Sequence, residues 1–245
     1  MTHKTKGIVL RTIKYGETSL IVSIYTELFG IQSYIVNNVR TSTRKGHGKA
    51  NLFQPASILE MVLYHNELKN LQRLREYKWA HLYENLHFNV FRNSVALYMV
   101  ELLHKMIKEP ETNEPLYNFI EDAFIYLDKA EDAVVANYAL FFTLHLATFF
   151  GFGIGDTYSE TNRYLDFHSG YFVAERPSHA NYLEEPFSQV TSQLLKTRHP
   201  SELDQVKLRR DARQYLLQSY LIFYAIHIQD FGTLKTLPVL HEVLG

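Results

Sequence analysis

Cysteine is absent from all 245 residues. Its absence excludes disulfides, a thiol nucleophile, cysteine-ligated zinc and iron–sulfur clusters, and it fits a reducing compartment. Proline (7) and glycine (11) are scarce, which speaks against long disordered or low-complexity segments. Long uncharged runs are few. Residues 133–155 hold no Asp, Glu, Lys or Arg and are long enough to cross a bilayer. However, Asn137, Thr143, His145 and Thr148 interrupt them, and Gly151, Gly153 and Gly155 break their end. A second uncharged stretch, residues 214–229, suggests that the two helices pack on each other as a core. The N-terminus shows no apolar run with a small-residue cleavage site, so it does not read as a signal peptide. A soluble, cytoplasmic chain without membrane contact is expected.

Motifs for chemistry are also missing. There is no GxSxG elbow, no HExxH and no Walker A, since Gly48-Lys49 is followed by Ala50. Gly151-Phe152-Gly153-Ile154-Gly155 follows a helical run rather than a strand, so it reads as a helix stop and not as a dinucleotide loop. None of the twelve histidines pairs with a carboxylate at metal-binding helical spacing. No enzyme, no cofactor and no metal site is predicted.

What the chain does have is charge of one sign at one end. Residues 1–80 hold twelve Lys and Arg against five acids; residues 81–245 hold thirteen against twenty-one. The formal net charge of −1 therefore hides a basic module joined to an acidic one. Such asymmetry points to a polyanion-binding module, with chance as the competing explanation.

Hydropathy patterning gives the two modules different architectures. Five strand-like runs lie at residues 7–14, 19–25, 31–36, 57–64 and 71–79. A polar, basic loop at residues 37–51 separates the third from the fourth. That outline matches a small Greek-key barrel of the OB type. After Trp79 the period becomes helical. Helices are predicted near residues 95–106, 116–127, 133–150, 187–195 and, as one long helix, 203–229, followed by a short tail at 234–244. Residues 164–173 read as a hairpin turning at Ser169-Gly170. The fold class is thus α+β: a five-stranded OB barrel over residues 1–80 and a helical domain over 81–245 with a small hairpin insertion.

Cations with aromatic rings are what single-stranded nucleic acid requires, the first for phosphates and the second for base stacking. In the barrel these are Lys6, Arg11, Lys14, Arg40, Arg44, Lys45 and Lys49, with Tyr15, Phe29 and Tyr34 near turns. Most other barrel rings are expected in its core. A second cluster, Lys207, Arg209, Arg210 and Arg213, falls on the last long helix beside apolar positions. Two readings of it stand: a seat for an anionic group, or an exposed face paired with Glu202, Asp204 and Asp211.

Several segments together carry a resemblance. Lys6-Gly7-Ile8-Val9-Leu10, then Tyr15-Gly16-Glu17-Thr18-Ser19-Leu20-Ile21-Val22, resembles the opening of the bacterial recombination mediator family RecO. The likeness continues through Thr26-x-x-x-Gly30, the basic loop, Phe53-Gln54-Pro55-Ala56 and the Leu71 to Tyr77 run. It closes with Leu234-Lys235-Thr236-Leu237-x-x-Leu240. The resemblance implies an OB-fold before a helical domain, and a role in DNA repair by recombination. It implies binding of single- and double-stranded DNA, annealing of complementary strands, and work beside the nucleoid. Its implied partners are the ring-forming RecR, the acidic C-terminal tail of single-strand binding protein and, indirectly, a RecA-type recombinase. Lys207, Arg209, Arg210 and Arg213 are then candidates for the acidic tail. Two departures stand out. Many family members carry a four-cysteine zinc module; the corresponding residues 156–183 have no cysteine here, so a remnant without zinc is expected. The family's Lys-Gly before the basic loop is Asn37-Asn38. A protein-interaction scaffold whose OB-like barrel no longer binds nucleic acid is the alternative.

Overall fold

The computed structural model describes residues 2–40 and 48–244. Arg44 and Lys45 of the basic loop lie outside the described residues. Two compact units emerge, Met1–Phe88 with Val100–Asp128, and Asn89–Met99 with Lys129–Gly245.

The first unit contains a closed barrel of β1 (Thr2–Tyr15), β2 (Ser19–Thr26), β3 (Gly30–Val36), β4 (Ile58–Tyr64) and β5 (Leu71–Trp79), in the order β1-β2-β3-β5-β4. All neighbours are antiparallel except β3 and β5, which pair in parallel through Ser33–Ile35 and Leu71–Arg73. Closure depends on β1. Its first half pairs with β4 from Thr2 to Ile8, and from Gly7 onward it pairs with β2. A bulge between Val9 and Arg11 lies where the partner changes, since an extra residue bends a strand and increases its twist. Gly7 sits where the barrel is tightest: a Cβ there would lie 2.6 Å from both Ile24 Cγ2 and Met61 Cε.

Alternation along the strands sends Val9, Leu20, Val22, Ile24, Tyr34, Val36, Leu59, Met61 and Leu63 inward, where Phe53 joins them. Predicted and observed strands agree except at the start. Residues 2–6 also belong to β1, although their pattern is polar, because β4 offers them a pairing edge.

Two helices, α1 (Val90–Met106) and α2 (Glu114–Lys129), follow the barrel in sequence. In the second unit α3 (Asp132–Thr148) is buried on nearly every side and packs against α4 (Phe187–Lys196) and α5 (Arg210–His227). Among the described residues, no helix is long and apolar enough to cross a membrane. The hairpin predicted at residues 164–173 is present as β6 (Tyr164–Asp166) and β7 (Tyr171–Val173), and β8 (Tyr182–Leu183) adds a third strand. The tail forms α6 (Leu237–Val243).

One expectation needs correction. The long helix at 203–229 is two elements, a 3₁₀ turn at Pro200–Gln205 and then α5. Buried Asn137 explains the break: its Nδ2 donates to Leu203 O at 3.1 Å and Val206 O at 2.7 Å. Those carbonyls are therefore held by a side chain of α3, while Val206 is extended.

Candidate nucleic-acid interface

One end of the barrel is built from the β1–β2 turn and the two arms of the basic loop. Gly16, with φ of 57°, allows the tight turn after Tyr15. The leading arm is fastened to this turn: Thr18 O accepts the backbone N–H groups of Val39 and Arg40, both at 3.0 Å. Ser19 Oγ reaches Asn37 Oδ1 at 3.1 Å. Buried Val39 closes the core beneath. The returning arm is fastened to the second half of β1. Thr12 Oγ1 donates to Phe53 O at 2.6 Å, and Val9 exchanges backbone hydrogen bonds with Ser57 and Ala56. Phe53 anchors this arm in the core, edge-on to Tyr77.

This framework gathers Lys14, Tyr15, Arg40 and Lys49, all but Arg40 exposed. The Arg40 guanidinium donates to Gly16 O at 3.2 Å. Arg11 lies further back on β1, also exposed. Among the described residues, none of Arg11, Lys14, Arg40 and Lys49 forms an ion pair. Tyr15 is 53% exposed beside them. Such a surface can neutralise phosphates and offer one ring for stacking.

Other predicted residues fall elsewhere. Lys6 does not share this end; Glu121 holds its Nζ at 3.0 Å. Lys4 and Lys78 flank Glu60, at 2.5 and 2.9 Å, and together they lower its carboxyl pKa to about 2. These pairs went unseen in the sequence, although Lys4, Lys6, Glu60 and Lys78 are cross-strand neighbours once the register is known. Tyr34 is wholly buried within the barrel and cannot stack on a base without leaving it. Phe29 sits at the opposite end, in the β2–β3 turn, stacked on His65 at 4.1 Å between centroids.

In the helical unit, Lys207 and Arg209 precede α5, Arg210 opens it, and Arg213 lies one turn along. Arg210 donates to His241 O at 3.1 Å, and Arg213 donates to Leu208 O at 2.7 Å and Leu244 O at 3.3 Å. Partial burial lowers the Arg213 pKa from its ordinary value. Among the described residues no ion pair joins this cluster to Glu202, Asp204 or Asp211. Lys207, Arg209 and Arg213 line a groove of about 420 Å³ together with Ala133, Ala136 and Val206, and Asp204 lines it too. Near the hairpin, Asp166 Oδ1 meets His179 Nε2 at 3.2 Å, and Asn181 joins His168 and His179 by hydrogen bonds.

The family described as Recombination protein O N terminal matches residues 1–83, and Recombination protein O C terminal matches residues 87–234. DNA repair protein RecO of Flavobacterium johnsoniae is 32% identical over 245 residues, covering 100% of both chains. The protein of the same name from Phocaeicola vulgatus is 30% identical, also covering 100% of both. That of Azobacteroides pseudotrichonymphae is 28% identical over 99% of each. With both family halves matched in order and full-length relatives above 30%, this chain belongs to the RecO family of DNA repair and recombination proteins.

Proposed function

We propose that the protein is a non-catalytic recombination mediator that grips DNA by its phosphates at the end of the barrel formed by Lys14, Arg40 and Lys49, with Arg11 behind them. Arg44 and Lys45, from the same basic loop in sequence, add phosphate-binding charge, and Tyr15 supplies a stacking ring. It binds single- and double-stranded DNA, anneals complementary strands and helps load a RecA-type recombinase onto strands coated by single-strand binding protein. RecR and the acidic tail of single-strand binding protein are its partners, and it works in the cytoplasm on the nucleoid. Residues 1–80 are the DNA-binding module. Residues 81–245 are the helical module, whose Lys207, Arg209 and Arg213, lining the groove before α5, receive the acidic tail with Arg210 beside them.

The observation that carries the reading is the pattern of ion pairing. Cations in the first half of β1 and at the end of β5 are matched by Glu60 and Glu121, whereas those at the loop end have no acidic partner among the described residues. Counterion release from phosphates favours such unmatched cations. Titrating a labelled single-stranded oligonucleotide at several salt concentrations tests it. Phosphate-led binding weakens linearly in log K against log salt. A protein-interaction scaffold binds no oligonucleotide at any salt, and that result overturns the proposal.

A further inference from the structure

The outer face of β2 and β3 offers much of what a single-strand site needs, yet carboxylates line it. Ser23, Gln32 and Ser33 face a groove of about 850 Å³, with the stacked Phe29 and His65 at its mouth. Five-stranded barrels of this topology bind oligonucleotides on the face of strands 2 and 3. Rings with side-chain amides are suited to holding bases without sequence preference.

Across the groove runs the segment that joins α1 to α2, whose Lys108, Pro110, Glu111 and Thr112 form the far wall. This strap is fastened to the barrel. Tyr25 Oη donates to Asn113 O at 3.3 Å. The Glu111 backbone lies so close over Gly30 that a Cβ there would come within 2.3 Å of Glu111 O. Gly30 also has φ of 59°, so glycine is required twice over. Asn113 in turn accepts from Leu116 N at 3.0 Å in the first turn of α2. Glu109 and Glu111 of the strap and Glu114, which opens α2, are all exposed, and Glu67 and Glu111 both line the groove. Among the described residues, Lys69 and Lys108 are the lysines that line it.

We infer that the strap is an electrostatic fence that keeps phosphates off the β2–β3 face and confines nucleic acid to the loop end of the barrel. The inference rests on the DNA-binding reading above. Like charges within a Debye length repel, and that length is about 10 Å at 0.1 M salt and about 30 Å at 0.01 M. A strand entering this groove would meet Glu67 and Glu111 in its lining, with Glu109 and Glu114 exposed close by in the chain. A strand held at the loop end chiefly by its phosphates, with Tyr15 as the one stacking ring there, keeps most of its bases open to a complementary strand, which is what annealing requires.

The test compares the full-length protein with a strap variant, Glu109→Gln with Glu111→Gln and Glu114→Gln. A control variant, Glu160→Gln with Glu175→Gln and Glu184→Gln, changes net charge equally at exposed positions of the second unit. The strap variant is expected to bind single strands about fivefold or more tightly at low salt, while the control stays within about twofold of the unaltered protein. Its log–log salt slope should steepen by about 0.7 if Lys69 gains a phosphate, at ~0.7 per single-strand contact. Ultraviolet crosslinks mapped by mass spectrometry should appear at Phe29 and His65 in the strap variant and be absent from the unaltered protein. Equal affinities for strap and control variants, or crosslinks at Phe29 and His65 in the unaltered protein, overturn the fence. Absence of oligonucleotide binding by every form overturns the underlying DNA-binding reading instead.

Discussion

Replacing Asp128 should loosen the segment that leaves the barrel. Asp128 is fully buried near the end of α2. Its carboxylate accepts the backbone N–H groups of Glu84 at 3.0 Å, Asn85 at 2.8 Å and Leu86 at 2.7 Å. A stranded buried N–H costs about 1–3 kcal/mol. Leu86 is buried, whereas Glu84 and Asn85 are exposed and can turn to water. Asp128→Ala should therefore cost about 3–4 kcal/mol, one full penalty and two partial ones. Asp128→Asn, which keeps one acceptor oxygen, should cost about 1–2 kcal/mol. Trp79, the single tryptophan, lies on β5 in the same unit and reports its unfolding in urea. The pH dependence has a definite sign. Burial alone would raise the Asp128 carboxyl, but the three N–H groups, with His81 nearby, outweigh burial and hold it below the ordinary value. A group depressed in the folded state contributes stability above its unfolded pKa, about 3.9, and that contribution fades as pH falls toward the folded value. The stability gap between the unaltered protein and Asp128→Asn should thus be constant from pH 7 to 5 and shrink below pH 4. An Asp128→Ala protein within about 0.5 kcal/mol of the parent would refute the reasoning, since that is the range of featureless surface changes.

Tyr15 and Tyr34 should respond oppositely: Tyr15→Ala should lose about 1–3 kcal/mol of single-strand affinity with little loss of stability, whereas Tyr34→Ala should cost about 3–5 kcal/mol of folding. Urea titrations alongside oligonucleotide binding would expose the reverse assignment. Glu60 should titrate near pH 2 by carboxyl NMR, because Lys4 and Lys78 hold its charge; a midpoint above 4 would mean the two pairs do not persist in solution. A chelator should leave the thermal midpoint unchanged, because His168 and His179 cannot complete a tetrahedral zinc site without cysteine, and one zinc per purified chain would contradict this.

Alternation made the barrel legible: the runs at 19–25 and 31–36 had to bury one face, and β2 and β3 lie there. Residues 2–6 carry no such signal, since their strand exists only through pairing with β4. The break before α5 was equally hidden, for it depends on Asn137 reaching across from α3 to carbonyls about seventy residues later. For the candidate site, composition located the basic loop, but it could not separate matched from unmatched cations. Lys6 and Lys14 look alike until Glu121 is seen beside one of them. Tyr34 illustrates a related limit: nearness to a loop says nothing of direction, and pairing opposite Val22 turns its ring inward.

The most direct test of phosphate-led binding at the barrel end is the salt dependence of single-strand affinity for Lys14→Ala with Lys49→Ala. Both side chains are exposed and neither forms an ion pair among the described residues, so the fold should be unaffected. Affinity at moderate salt should fall at least about tenfold for every oligonucleotide sequence, and the log–log slope should shrink by about 1.4, at ~0.7 per lost contact. A folded double variant with unchanged affinity and unchanged slope would contradict the account and move the DNA to another surface.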